Sequence, residues 1–197
     1  IFSQKWDAEK LRANYRPLRF LSYAIDYRIT TAIYGESRPE SLPTRVFHIH
    51  NVALHVLNAL LLLGIGRVLL GDGAAALVLA LLFALHPILT EAVTYISGRR
   101  DVLSTSCFLL ALRVYLGRAG TGYGPSASGI AGLSPGPPGA AALILVPVLF
   151  VLGLLSKEMV VTLPAVILLV DLARRARFGV RRVALALVLW ALALGFA

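Results

Sequence analysis

Val46 to Gly66 is a run of 21 residues without Asp, Glu, Lys or Arg, and Gly73 to Thr90 is a second run of 18. A charged side chain at the centre of a bilayer costs at least about 2.5 kcal/mol, so long uncharged apolar runs mark membrane spans. Both runs are close to the roughly 20 helical residues that cross a hydrocarbon core. The pattern continues downstream. Val102 to Gly117 is interrupted only by Arg113, which lies near one end and can snorkel. Ala140 to Leu155 is uncharged, and Val183 to Ala197 opens a further apolar run. Met159 to Val170 is too short alone and must borrow Ser156, Lys157 and Glu158 or tilt. The spacing predicts spans at about 46–70, 73–89, 102–117, 140–155, 157–172 and 183–197, the last cut short by the end of the sequence.

The remaining segments connect these runs. Residues 118–139 are rich in Gly, Ser and Pro, with Pro135, Pro137 and Pro138, and read as a flexible linker. Residues 1–45 read as the end of an outer loop, and Ile1 together with the interrupted last run suggests an internal fragment. The fold class expected is all-α, a polytopic transmembrane helical bundle. Only 15% of residues are charged and the mean hydropathy is +0.79, whereas soluble chains carry about 25% charge. The net charge of +9 is scattered between apolar runs, which excludes a basic stripe for nucleic acid. Cys107 is the sole cysteine, so no internal disulfide framework exists.

If the spans alternate, residues 1–45, the turn around Thr90 to Asp101 and Ser156 to Glu158 share one side. The other side holds the Arg67 to Asp72 turn, the linker and the Asp171 to Arg182 loop. That loop contains Arg174, Arg175, Arg177, Arg181 and Arg182 and marks the cytoplasmic side by the positive-inside rule. Eight of the ten carboxylates then lie on the opposite, non-cytoplasmic side.

Three groups of polar residues stand out. His48, Asn51, His55 and Asn58 occupy about 80° of the first span, with His50 pointing elsewhere. Such a stripe packs against neighbouring helices or lines a cavity; two turns separate the histidines, which makes a metal site on this helix alone unfavourable. His86, Pro87, Thr90, Glu91, Tyr95, Gly98, Arg99, Arg100 and Asp101 crowd the connection between two spans. Two arginines can grip a phosphate and two carboxylates can accept a proton, although a self-neutralising solvated turn has the same composition. Lys157 and Glu158 sit between apolar runs, and adjacent residues do not face each other on a helix, so each charge needs its own partner. From Pro17 onward, Leu18, Leu21, Ile25, Ile29 and Ala32 share one face and Phe20, Tyr23 and Tyr27 another, which suits an amphipathic interfacial helix.

These residues, taken in order, resemble a known family. Tyr15-Arg16-Pro17-Leu18, Leu21-Ser22-Tyr23, Asp26-Tyr27, Phe47-His48, Leu85-His86-Pro87, Thr90-Glu91-Ala92-Val93, Gly98-Arg99-Arg100-Asp101, Ser156-Lys157-Glu158, Leu163-Pro164 and Asp171 are similar to the membrane part of the TMTC family, from about Tyr15 to Leu172. These are the transmembrane and tetratricopeptide repeat-containing O-mannosyltransferases and their bacterial relatives. The resemblance implies part of a C-fold glycosyltransferase that moves a sugar, mannose in the animal branch, from a polyprenyl-phosphate donor to a protein Ser or Thr hydroxyl on the non-cytoplasmic side. It implies membrane lipid, lipid-linked sugar and a protein acceptor as partners, and it adds no cofactor or metal.

The main acidic pair of the family is expected upstream of this sequence, and the repeats downstream, so the fragment alone is expected to be inactive. Asp7 and Glu9 fall at the wrong place to replace that pair. The remaining roles fall on Glu91, Asp101 and Glu158 as supporting acids, and on Tyr15, Arg16, His86, Arg99, Arg100 and Lys157 as substrate-binding residues. Within the last group, phosphate contact is expected of Arg16, Arg99 or Lys157. The alternatives are a transporter or channel using the His/Asn stripe, or an inactive membrane anchor for a repeat domain. The Ala, Leu, Gly and Arg bias points to a bacterial cytoplasmic membrane; a eukaryotic source would place the chain in the endoplasmic reticulum membrane.

Overall fold

A computed structural model of the chain describes residues 16–35, 44–117, 139–174 and 179–196. Every regular element among them is helical. In order these are α1 (Pro17–Tyr34), α2 (Arg45–Leu70), α3 (Gly73–Leu85), α4 (Ile88–Thr94), a 3-10 turn at Ile96–Gly98 and α5 (Arg99–Leu116), followed by α6 (Ala140–Leu154), a 3-10 turn at Glu158–Thr162, α7 (Leu163–Ala173) and α8 (Val180–Phe196). The expected linker, except for Gly139, lies outside the described residues.

Local chemistry sets the breaks. α2 stops at Gly71, whose φ of 69° suits a residue without Cβ and whose N–H returns to the Arg67 carbonyl. Asp72 then caps α3 by accepting the Ala74 N–H at 2.8 Å. This tight turn lays α3 against α2, where Gly66 and Ala76 permit close approach. Pro87 disfavours helix at His86, which is extended, and the axes of α3 and α4 differ by 61°. The apolar span expected to run to residue 89 therefore bends after Leu85.

α2 is the one described helix long and apolar enough to cross a membrane alone, and α3 with α4 meets the same test if the bent pair counts as one span. The other expected spans appear as shorter or more polar helices. α6 is apolar with 15 residues, and α5 begins three residues before the expected 102, taking Arg99, Arg100 and Asp101 into its first turn. Ser156, Lys157 and Glu158 do not lengthen α7, contrary to expectation. Lys157 is extended, Glu158 opens the 3-10 turn, and α7 starts only at Leu163-Pro164.

The core lies where α5 and α6 meet, with α2, α7 and α8 around them; Ala111, Leu112, Val146, Phe150, Leu163 and Leu189 are buried there. Aliphatic side chains also point outward, including Val52, Val56 and Leu60 of α2 and Val78 and Leu82 of α3, while Asn51 and Asn58 of α2 point inward. Lipid is as apolar as leucine, so close packing and interhelical hydrogen bonds, more than apolar burial, hold helices together in such surroundings. α1 follows the same rule. Its Ser22, Asp26 and Thr30 stripe is buried, and the aliphatic face of Leu21, Ile25 and Ile29 is exposed.

Candidate active site

The beginnings of α2, α5 and α7 and the ends of α3 and α6 gather at one end of the assembly, and α1 lies against it. Two polar clusters form there, one interior and one at the rim.

The interior cluster centres on Asp26 of α1 and Arg99 of α5, both 0% exposed and ion-paired with each other. Arg99 Nε donates to Asn51 Oδ1 at 2.8 Å, and Nη2 donates to the Phe47 carbonyl at 2.7 Å. The guanidinium also lies 5.1 Å from the ring centroid of Tyr23 and 5.8 Å from that of Phe47. The second Asp26 oxygen accepts from His50 Nδ1 at 2.6 Å. Asn51 in turn donates to the Val93 and Tyr95 carbonyls, tying α2 to the last turn of α4 and the residue after it. Tyr23 donates its hydroxyl to the Ile96 carbonyl at 2.7 Å, and burial raises its pKa, so the phenol stays a neutral donor. A buried charge is tolerated only when paired and hydrogen-bonded. Asp26 and Arg99 meet both conditions.

The rim cluster joins residues from three distant parts of the chain. Arg16, just before α1, donates from Nη1 to the Ser156 carbonyl at 3.1 Å and pairs through Nη2 with Glu158 Oε2 at 2.6 Å. Ser156 donates its hydroxyl to the Arg100 carbonyl at 3.0 Å. Lys157 pairs with Asp101, and Arg100 Nε approaches the other Asp101 oxygen at 4.0 Å. The 3-10 start explains how neighbouring Lys157 and Glu158 serve different partners: the extended backbone at Lys157 turns their side chains apart. The backbone N–H of Glu158, followed by Arg16, holds the Glu158 carboxyl below the usual carboxylate range. Among the described residues, three cations face two carboxylates in this partly exposed site, an excess of one positive charge.

Arg16, Arg100, Asp101, Lys157 and Glu158 thus come together, and Tyr15 lies outside the described residues. Arg99 does not join them. Its guanidinium is engaged by Asp26, Asn51 and Phe47 in the interior, so the expected phosphate contact is replaced by a structural role. His86 is exposed and accepts the Ile88 N–H at 3.2 Å, closing the bend between α3 and α4. Glu91 is exposed on α4, with no hydrogen bond or ion pair to another side chain among the described residues.

The stripe on α2 is used for packing. Asn58 donates to the Val102 carbonyl at 3.0 Å, and His55 Nε2 reaches the Ala84 carbonyl at 3.1 Å. His50, which helical spacing turns away from that stripe, is the histidine that reaches α1. Sequence reasoning gave Asp26, His50 and Ser156 no role in the site, although Asp26 and Ser156 stand in the family motifs. The available signal for Asp26 was its place in the polar i, i+4, i+8 series Ser22, Asp26, Thr30. Among the described residues, no three His, Cys, Asp or Glu side chains come together as a metal site.

The sequence is 40% identical over 111 residues to protein O-mannosyl-transferase TMTC2 of Homo sapiens, covering 56% of this chain and 12% of that protein. It is 36% identical over 107 residues to TMTC3 of Mus musculus, covering 54% and 10%, and 40% identical over 111 residues to tmtc2 of Xenopus laevis, covering 56% and 12%. The chain is homologous to the TMTC proteins. It spans about a tenth of the length of these TMTC relatives. No family model and no solved structure matches it.

Proposed function

We propose that this chain is part of a membrane glycosyltransferase that moves a sugar, mannose by analogy with the TMTC relatives, from a polyprenyl-phosphate donor to a Ser or Thr hydroxyl of a protein on the non-cytoplasmic side. In this reading the packed helices form part of a polytopic bundle of the C-fold type. The single observation that carries the reading is the rim cluster, in which Arg16, Arg100 and Lys157 are held together by Asp101, Glu158 and Ser156 at one end of the helices.

Transfer requires the acceptor oxygen to attack the anomeric carbon as the bond from that carbon to the phosphate oxygen breaks. The acceptor proton goes to a base and the electron pair leaves on the lipid phosphate. The residual positive charge of the rim suits the leaving phosphate. Asp101 and Glu158 are each engaged by a cation, so their work is to hold Lys157 and Arg16 in place. Glu91, exposed and without a side-chain partner among the described residues, is the carboxylate we assign to the acceptor.

In the intact protein, Lys157→Ala and Glu91→Gln should each lower transfer of radiolabelled sugar to an acceptor peptide by about tenfold or more, the usual size of one positioned charge or acid–base group. Expression should be unchanged. Wild-type rates in both variants would remove these roles.

A further inference from the structure

The opposite end of the helices carries a second buried polar cluster. Asp171 near the end of α7 accepts from Arg182 Nη1 of α8 at 3.0 Å and from the Tyr115 hydroxyl of α5. Arg174 closes α7 beside them and is only 4% exposed, and its Nη2 is buried with no hydrogen-bond partner among the described residues. Arginine does not shed its charge in proteins. Among the described residues, the buried guanidinium groups of Arg174 and Arg182 both lie beside the Asp171 carboxylate.

The described residues at this end are themselves mostly basic. Among the described residues, this end carries Arg67, Arg113, Arg174, Arg181 and Arg182, against Asp72 and Asp171 as acids. Asp72 is occupied in capping α3. A buried cation without a partner is unfavourable, and the Arg174 Nη2, which has none among the described residues, suits an anion supplied from outside the chain. A monoanionic phosphodiester would give the Arg174 guanidinium the partner its Nη2 lacks, and a guanidinium fork is suited to phosphate oxygens. The Leu172, Ala173 and Arg181 side chains around the cluster are exposed, which puts it at the periphery of the helices. Anionic lipid headgroups are the phosphodiesters concentrated at a membrane surface beside basic loops.

We propose that Arg174, with Arg182, Asp171 and Tyr115, binds the phosphodiester headgroup of an anionic phospholipid. This site is separate from the Arg16–Lys157 rim, and it does not depend on sugar transfer.

Native mass spectrometry of the intact protein, delipidated in detergent and titrated with phosphatidylglycerol, tests the assignment. The tightest-bound lipid should be held about tenfold or more weakly by Arg174→Gln, as expected for losing a charge-assisted contact. Phosphatidylcholine should not replace it. A wild-type measurement covers the case in which the variant fails to fold: phosphatidylglycerol should raise the melting temperature of the unaltered protein more than an equal amount of phosphatidylcholine does. Equal retention by wild type and Arg174→Gln, equal melting shifts with the two lipids, or displacement of the lipid by millimolar inorganic phosphate would each overturn the proposal.

Discussion

Removing the carboxylate of Asp26 separates the two polar clusters by their effect on stability. Asp26 and Arg99 are both 0% exposed, so neither charge has water to fall back on once its partner is gone. Breaking a buried pair from one side costs about 3–5 kcal/mol. Asp26→Ala should therefore lower the folded-to-unfolded ratio by at least about a hundredfold. Arg99→Ala should cost at least as much, because it also strands Asn51 Oδ1 and the Phe47 carbonyl. The comparison is Asp101→Ala. Its pair with Lys157 is about one-third exposed on the acid side, and pairs that water can screen contribute about 0–1 kcal/mol. Asp101→Ala should leave stability nearly intact while reducing sugar transfer. Reversible unfolding of the intact protein in detergent, with the Asp26→Ala/Arg99→Ala double variant to complete the cycle, measures both terms. If Asp26→Ala proves no more destabilising than Asp101→Ala, or if the cycle shows no coupling between Asp26 and Arg99, then the burial argument is wrong.

Gly98→Ala should destabilise the turn into α5 by about 1–3 kcal/mol, because a Cβ there would sit 2.3 Å from the Ala92 carbonyl oxygen. Its φ of −66° is ordinary, so a thermal melt showing no loss would refute the steric reading. The Glu158 carboxyl is held below its usual pKa, so the free energy of its pairing is fully present above the ordinary glutamate value of about 4.3 and is lost only as the pH falls through the depressed one. Crosslinking between Cys replacements at positions 16 and 158 would remove the groups themselves; infrared titration of the Glu158 carboxylate against Arg16→Gln instead should show the variant protonating at higher pH.

Much of the fold was legible in the sequence because lipid solvent leaves a simple record: uncharged runs became helices, and Gly71-Asp72 and Pro87 became a turn and a bend. Boundaries were less legible. Arg99, Arg100 and Asp101 read as loop because they are charged, yet they form the first turn of α5, where partners from α1, α2 and the segment after α6 satisfy them. At the rim, the family resemblance singled out Arg16, Arg100, Asp101, Lys157 and Glu158, but not who pairs with whom. The pairing depends on contacts between residues far apart in the chain and on the extended backbone at Lys157, which no helical spacing anticipates. Arg99 shows the opposite failure. Its sequence neighbours made it look like Arg100, and only burial distinguishes the two.

The Arg16–Ser156 contact joins residues 140 positions apart. At translation rates of about 5–20 residues per second, Arg16 leaves the ribosome about 7–28 s before Ser156. During that interval its guanidinium has neither the Ser156 carbonyl nor Glu158, and water or headgroups must solvate it. The rim therefore assembles late in synthesis, after α5 and α6 are in place, and a chain arrested before residue 156 would carry α1 without the anchor that fixes its leading end.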